Sequence, residues 1–174
     1  MDNVKSLYLY VTSKDSEPYF PHNKPSIFHV KLNNTLNLNG SWEIGVCSVD
    51  IAGVNVSKNV DASKLFIVCN ICSGMIVDGK QTRILRSLPL KPDINETYHH
   101  IYYVPIEVRF IDSIEFRIIN DAAGEASFGS EDKSDTQPIT SNDEPSETSG
   151  SSEDKSDTQP ITSMTLHLKR SYQI

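Results

Sequence analysis

The stretch Ser41–Ile51, SWEIGVCSVDI, decides the fold. Trp42, Ile44 and Val46 alternate with Glu43, Gly45 and Cys47, and the apolar phase then slips by one residue to Val49 and Ile51. Alternation with a period of two belongs to a sheet, and a slip of one residue is what a β-bulge produces. The turn-forming run Asn37–Gly40 delivers the chain into this strand. It reads as the central strand of a sandwich, on which the other segments pack.

Working outward, Ser6–Ser13 sets Leu7, Leu9 and Val11 against Tyr8, Tyr10 and Thr12, a first strand of β-favouring side chains. Asp15–Pro25, with three prolines, is a loop. Ser26–Leu32 carries Phe28, Val30 and Leu32 on one face and is the second strand. Ala52–Ser63 lacks periodicity and reads as a connection. Lys64–Cys72 is the fourth strand; after an Asp78–Gly79 turn signal, Gln81–Leu88 is the fifth. Pro89–Tyr98 is a loop. His99–Ile106, interrupted by Pro105, suits an edge strand. Ser113–Asn120 alternates Ile114, Phe116 and Ile118 with polar neighbours, and Met164–Arg170 brings Leu166 and Leu168. Eight short strands without an amphipathic helix define an all-β sandwich. Its expected core is Phe28, Val30, Trp42, Ile44, Val46, Ile114, Phe116, Ile118, Leu166 and Leu168.

Between the last two strands lies a segment of different composition. Residues 121–163 hold eleven acids and two bases, a net −9, which leaves the rest of the chain at +2 against −7 overall. SEDKSDTQPITS occurs at Ser130–Ser141 and again at Ser152–Ser163. Dominated by Ser, Thr, Asp, Glu and Pro, this segment cannot bury enough apolar surface to offset its ordering entropy, so disorder is expected. The chain therefore divides into a folded body, residues 1–121 plus 164–174, and an acidic duplicated insertion, residues 122–163.

Few features point to chemistry. Cys47, Cys69 and Cys72 are an odd count and offer no disulfide framework. Cys69 and Cys72, three apart in a strand, should face opposite ways and be buried structural thiols, not a metal pair. His99–His100 likewise alternates and fits ordinary packing. There is no phosphate-binding glycine loop, nucleophile elbow or HExxH motif. No catalytic, cofactor-binding or metal residue is assigned, no cofactor is expected, and the chain is read as a non-enzyme. Lys80, Arg83, Arg86, Lys91, Arg109, Arg117, Lys169 and Arg170 are spread over several strands and read as solvated outer faces, so nucleic acid is not indicated. No apolar run approaches the roughly 20 residues of a membrane span, and the N-terminal residues lack a signal-peptide pattern. Synthesis in the cytosol is the expectation.

Four stretches taken in order carry a resemblance: FPHNKPSIFHVKLNNTLNLNGSWEIGV (20–46), LFIVCNICSGMIVDGKQTRILRSLPL (65–90), YYVPI (102–106), and IDSIEFRIINDAAGEASF (111–128) paired with MTLHLKR (164–170). In order and spacing they resemble the single jelly-roll minor capsid, or penton-like, proteins of Polinton/Maverick elements and adintovirus-type viruses. The matching elements are Phe20–Pro25, Gly40–Gly45, Leu65–Pro89, Tyr103–Pro105, and Asp112–Phe128 with Thr165–Lys169. The resemblance implies one eight-stranded jelly roll, and this chain's acidic insertion then falls in its last hairpin, between strands H and I, where the family normally has a short turn. It further implies a homopentamer at icosahedral capsid vertices, with a double jelly-roll major capsid protein as neighbour. The location would be the virion, after synthesis in the host cytoplasm and assembly there or in the nucleus. Two other classes share parts of this pattern: a nucleoplasmin-like histone chaperone, testable by histone pull-down, and a carbohydrate- or receptor-binding β-sandwich, testable by glycan binding.

Overall fold

A computed structural model describes residues 5–59, 61–77, 79–122, 124–129 and 160–171. In chain order its strands are β1 (Ser6–Thr12), β2 (Ile27–Asn37), β3 (Trp42–Ile51), β4 (Lys64–Cys69), β5 (Met75–Val77), β6 (Lys80–Thr82), β7 (Ile84–Pro89), β8 (Ile94–Thr97), β9 (Tyr103–Pro105), β10 (Phe110–Asn120) and β11 (Thr162–Arg170). One 3-10 turn, Val56–Lys58, is the only helical element among the described residues. All pairings are antiparallel. The first sheet runs β1-β11-β3-β8, with β9 also on β3; the second runs β2-β10-β4-β7; β5 and β6 form a separate ribbon.

Alternation explains the core. Leu166, Leu168, Ile44 and Val46 point inward from the first sheet, Phe28, Val30, Ile114, Phe116 and Ile118 from the second, and all are buried. The Phe28 and Phe116 rings meet at 5.3 Å. Trp42 is buried at the start of β3, where its indole N–H donates to Asn39 O at 3.1 Å. Burial of Phe- or Leu-sized side chains is worth about 1.5–3 kcal/mol each. The phase slip in β3 coincides with a bulge: Leu166 pairs Val46, Thr165 pairs Ser48, and Cys47 is the extra residue. Its carbonyl accepts from Tyr98 N at 2.8 Å on the other side.

The strand inventory differs from the eight expected. Gln81–Leu88 changes partner at Arg83: β6 pairs β5, β7 pairs β4, and a second bulge leaves Leu85 unpaired and buried. Of His99–Ile106 only Tyr103–Pro105 joins a ladder, while Ile94–Thr97, expected to be loop, pairs with Ser48–Ile51. β2 continues to Asn37 after a register shift opposite Asp112, where Lys31 Nζ meets the Asp112 carboxylate at 3.0 Å.

The edges of the insertion also differ. Residues 124–129 and 160–163 belong to the packed body. Ile119 bridges Glu125, Val54 bridges Phe128, Ala52 N donates to Ile161 O at 3.0 Å, and the buried Thr162 hydroxyl donates to Pro25 O at 2.9 Å. The second repeat thus ends inside the fold. The rest of the expected disordered segment, residues 130–159, lies outside the described residues, as does Asp78 of the turn signal.

Candidate functional site: an aromatic sheet face and a gathered loop end

Register assembles the outer face of the first sheet. Tyr8 pairs His167, His167 pairs Gly45, and Gly45 pairs Tyr103, so one row crosses four strands. Tyr8 stacks on the His167 imidazole at 4.4 Å and 14°, and Tyr103 Oη lies 2.7 Å from His167 Nδ1. Gly45 makes this reach feasible. A Cβ there would collide with the Ile101 side chain and lie 2.8 Å from Tyr102 O and 3.2 Å from the Tyr103 ring. In the next row Lys169 Nζ sits 3.8 Å from the Tyr103 ring centroid and 3.7 Å from the Glu43 carboxylate.

The electrostatics keep this face neutral where it could titrate. Burial, then the Lys169 charge, lowers the His167 pKa. Burial, with smaller effects of Cys47, Tyr8 and Glu43, raises that of Tyr103. Both shifts favour the neutral imidazole and the neutral phenol near neutral pH, the forms that share the hydrogen bond between Tyr103 Oη and His167 Nδ1. Burial also raises the Cys47 pKa, which keeps it a thiol. Tyr8 of this row and Tyr10 beside it are 66% and 67% exposed. Two tyrosines facing solvent on an outer strand, backed by a fixed imidazole, suit packing against another surface.

A second patch lies on the β5-β6 ribbon, where Ile76 is 79% exposed. Met75 and Val77 of the ribbon, with Phe66, Ile84, Leu85 and Tyr102, line an open groove of about 510 Å³.

At one end of the sandwich four connections meet. Gly53 N donates to the Asp93 carboxylate at 3.1 Å, Val54 N to Pro92 O at 2.8 Å, Asn55 N to Ser127 O at 2.9 Å, and Gly129 N to Gly53 O at 2.9 Å. The Ser26 hydroxyl donates to Glu125 Oε1. Both borders of the insertion, Phe128 and Pro160, line a cleft of about 740 Å³ together with Lys24 and Lys58. The insertion leaves the body at the same end as the loops around Pro25, Gly53 and Asp93.

The ten expected core residues are all buried. Cys69 and Cys72 depart from expectation: the strand ends at Cys69, Asn70–Ile71 turn, and the two thiols meet in the core instead of facing apart. His99 and His100 are exposed in a bend outside any strand. Of the dispersed bases, Arg83 pairs Glu107 at 3.2 Å, Arg86 lies over the Tyr98 ring at 3.7 Å, and Lys169 joins the tyrosine row. Sequence reasoning missed that row, although a glycine inside a strand pattern marks a close approach of the kind Gly45 makes. Among the described residues, no group of three or more His, Cys, Asp or Glu could hold a metal ion, and no helix is long and apolar enough to cross a membrane.

The class these observations define is an antiparallel all-β protein with an aromatic outer face and an acidic insertion at one loop end. No family model, curated protein or solved structure matches the chain.

Proposed function

We propose that the chain is a structural capsid protein, a single jelly roll of the penton-like kind its sequence resembles, forming a homopentamer at the vertices of an icosahedral shell. The strand order carries this reading. With β1, β2, β3, β4 and β7 as B to F, β8 and β9 as G, β10 as H and β11 as I, the two sheets read B-I-D-G and C-H-E-F. Every connection between these lettered strands crosses between sheets except β4 to β7, which is elaborated by the β5-β6 ribbon. That interleaving supports the jelly-roll reading.

Assembly draws further support from the surface. A ring of identical subunits makes heterologous contacts, so each subunit needs two unlike patches. The tyrosine pair of β1 and the groove beside the β5-β6 ribbon are two such patches. The neighbour in the shell is a double jelly-roll major capsid protein.

Native mass spectrometry of the full chain, alone and with that major capsid protein, tests the proposal. A pentamer or incorporation into shells is expected. A monomer that never enters shells overturns it, and retention of core histones or of glycans by that monomer would redirect the function to a chaperone or a carbohydrate-binding sandwich.

A further inference from the structure

The turn after β4 carries a cysteine at each end. Cys72 N–H donates to Cys69 O at 3.3 Å around Asn70–Ile71. A turn of this kind holds its first and fourth Cα atoms within about 7 Å, and a disulfide spans Cα separations of about 4.4–6.8 Å. Both thiols are free and fully buried. They also act on each other. Hydrogen bonding with Cys69, then burial, holds the Cys72 thiol far above the ordinary range.

The turn ties the two sheets. On the side of the second sheet, Asn70 N donates to Glu115 O at 3.2 Å, Glu115 N to Asn70 Oδ1 at 3.0 Å, and Arg83 Nη1 to Asn70 O at 2.9 Å. Toward the first sheet, Ser73 N donates to Pro105 O at 2.8 Å, and Glu107 N to Ile71 O at 3.0 Å. Whatever constrains residues 69–72 therefore constrains the junction between β4, β10 and the segment that carries β9.

We propose that Cys69 and Cys72 are a redox-sensitive pair, which closes to a disulfide in an oxidising medium and staples the turn joining the two sheets. With glutathione disulfide as oxidant, one cysteine thiolate attacks a glutathione sulfur and breaks the oxidant's S–S bond. The departing glutathione thiolate takes up the proton the cysteine lost. The second cysteine thiolate then attacks the protein sulfur of the mixed disulfide and releases the second glutathione, which is protonated in turn. Two electrons pass to the oxidant, and two cysteine thiols plus one glutathione disulfide become one protein disulfide plus two glutathiones. Because the thiolate is the attacking species, burial protects the reduced pair in the folded chain, and closure occurs as the chain folds. Cys47, half-buried at the bulge on β3, is the internal control.

The test uses the full chain, reduced and unfolded in guanidinium, then refolded into glutathione buffers of rising disulfide-to-thiol ratio. After acid quenching and alkylation, the tryptic peptide Leu65–Lys80 should have lost two hydrogens and carry neither alkyl nor glutathione groups. Cys47→Ser should behave identically, and the oxidised protein should melt at a higher temperature than the same sample after reduction. Alkylated Cys69 and Cys72 at ratios where Cys47 already carries glutathione would overturn the proposal, as would a disulfide that includes Cys47. The wild-type peptide map decides the matter even if Cys47→Ser fails to fold, and it does so whether or not the chain forms pentamers.

Discussion

Tyr103 Oη lies 2.7 Å from His167 Nδ1 across the glycine that separates their strands. Tyr103→Phe removes the hydroxyl from this hydrogen bond and leaves Nδ1 to water or to no partner. A hydrogen bond of this kind contributes about 0.5–1.5 kcal/mol net. Chemical denaturation of the variant at pH 8 should show a loss of that size, and an unchanged midpoint would mean the contact contributes nothing.

The same imidazole sets a pH dependence. Its folded-state pKa is lowered, chiefly by burial, so the unfolded chain binds the proton more readily. The stabilisation is fully present above the unfolded value of about 6.5 and is lost as pH falls through the folded value. His167→Gln should remove this component. The stability difference between wild type and variant is therefore expected to shift against wild type from pH 8 to pH 5; a constant difference would show that His167 titrates normally.

Gly45→Ala places a methyl group against Ile101 and the Tyr102 carbonyl. Overpacking of this kind costs about 1–3 kcal/mol. Relief comes most readily by displacing β9, so tyrosine fluorescence and hydrogen exchange at Tyr103–Pro105 should change with the midpoint. Exchange confined to other strands would argue against that route.

Trp42 is the only tryptophan in the chain and is buried at the head of β3. Trp42→Ala should cost about 3–5 kcal/mol, measured by urea unfolding. A loss below about 1 kcal/mol would mean that this strand's start is not part of the core.

The repeat offers a seamless deletion. Removing residues 138–159 joins Gln137 to Pro160 and keeps the second PITS, whose Thr162 hydroxyl reaches Pro25 O. Changing the length of a surface loop alters stability by only about 1 kcal/mol, so melting should hardly move. Thr162→Val, which leaves that carbonyl without its donor, should cost about 1–3 kcal/mol. Unfolding on deletion would show that residues 138–159 support the body, and indifference to Thr162→Val would contradict the role of residues 160–163 as part of it.

By itself the sequence determined what depends on local period and composition. Alternation in Ser41–Ile51 marked an inward face, and its slip marked the bulge at Cys47, because a side chain's face is set by counting residues along a strand. Acid content and the repeated SEDKSDTQPITS separated the insertion from the body, although Thr162 and Ser163 look like insertion in composition and become strand by pairing with β1 and β3. Tertiary structure decided what depends on partners. Ile94–Thr97 becomes a strand because β3 has an open edge beyond its bulge, and Gln81–Leu88 divides because two different strands claim its halves. Cys69 and Cys72 meet because a turn interrupts the alternation that would have set them apart. Tyr8, His167, Gly45 and Tyr103 are far apart in the chain, and only cross-strand register brings them into one row, a relationship no single segment's periodicity contains.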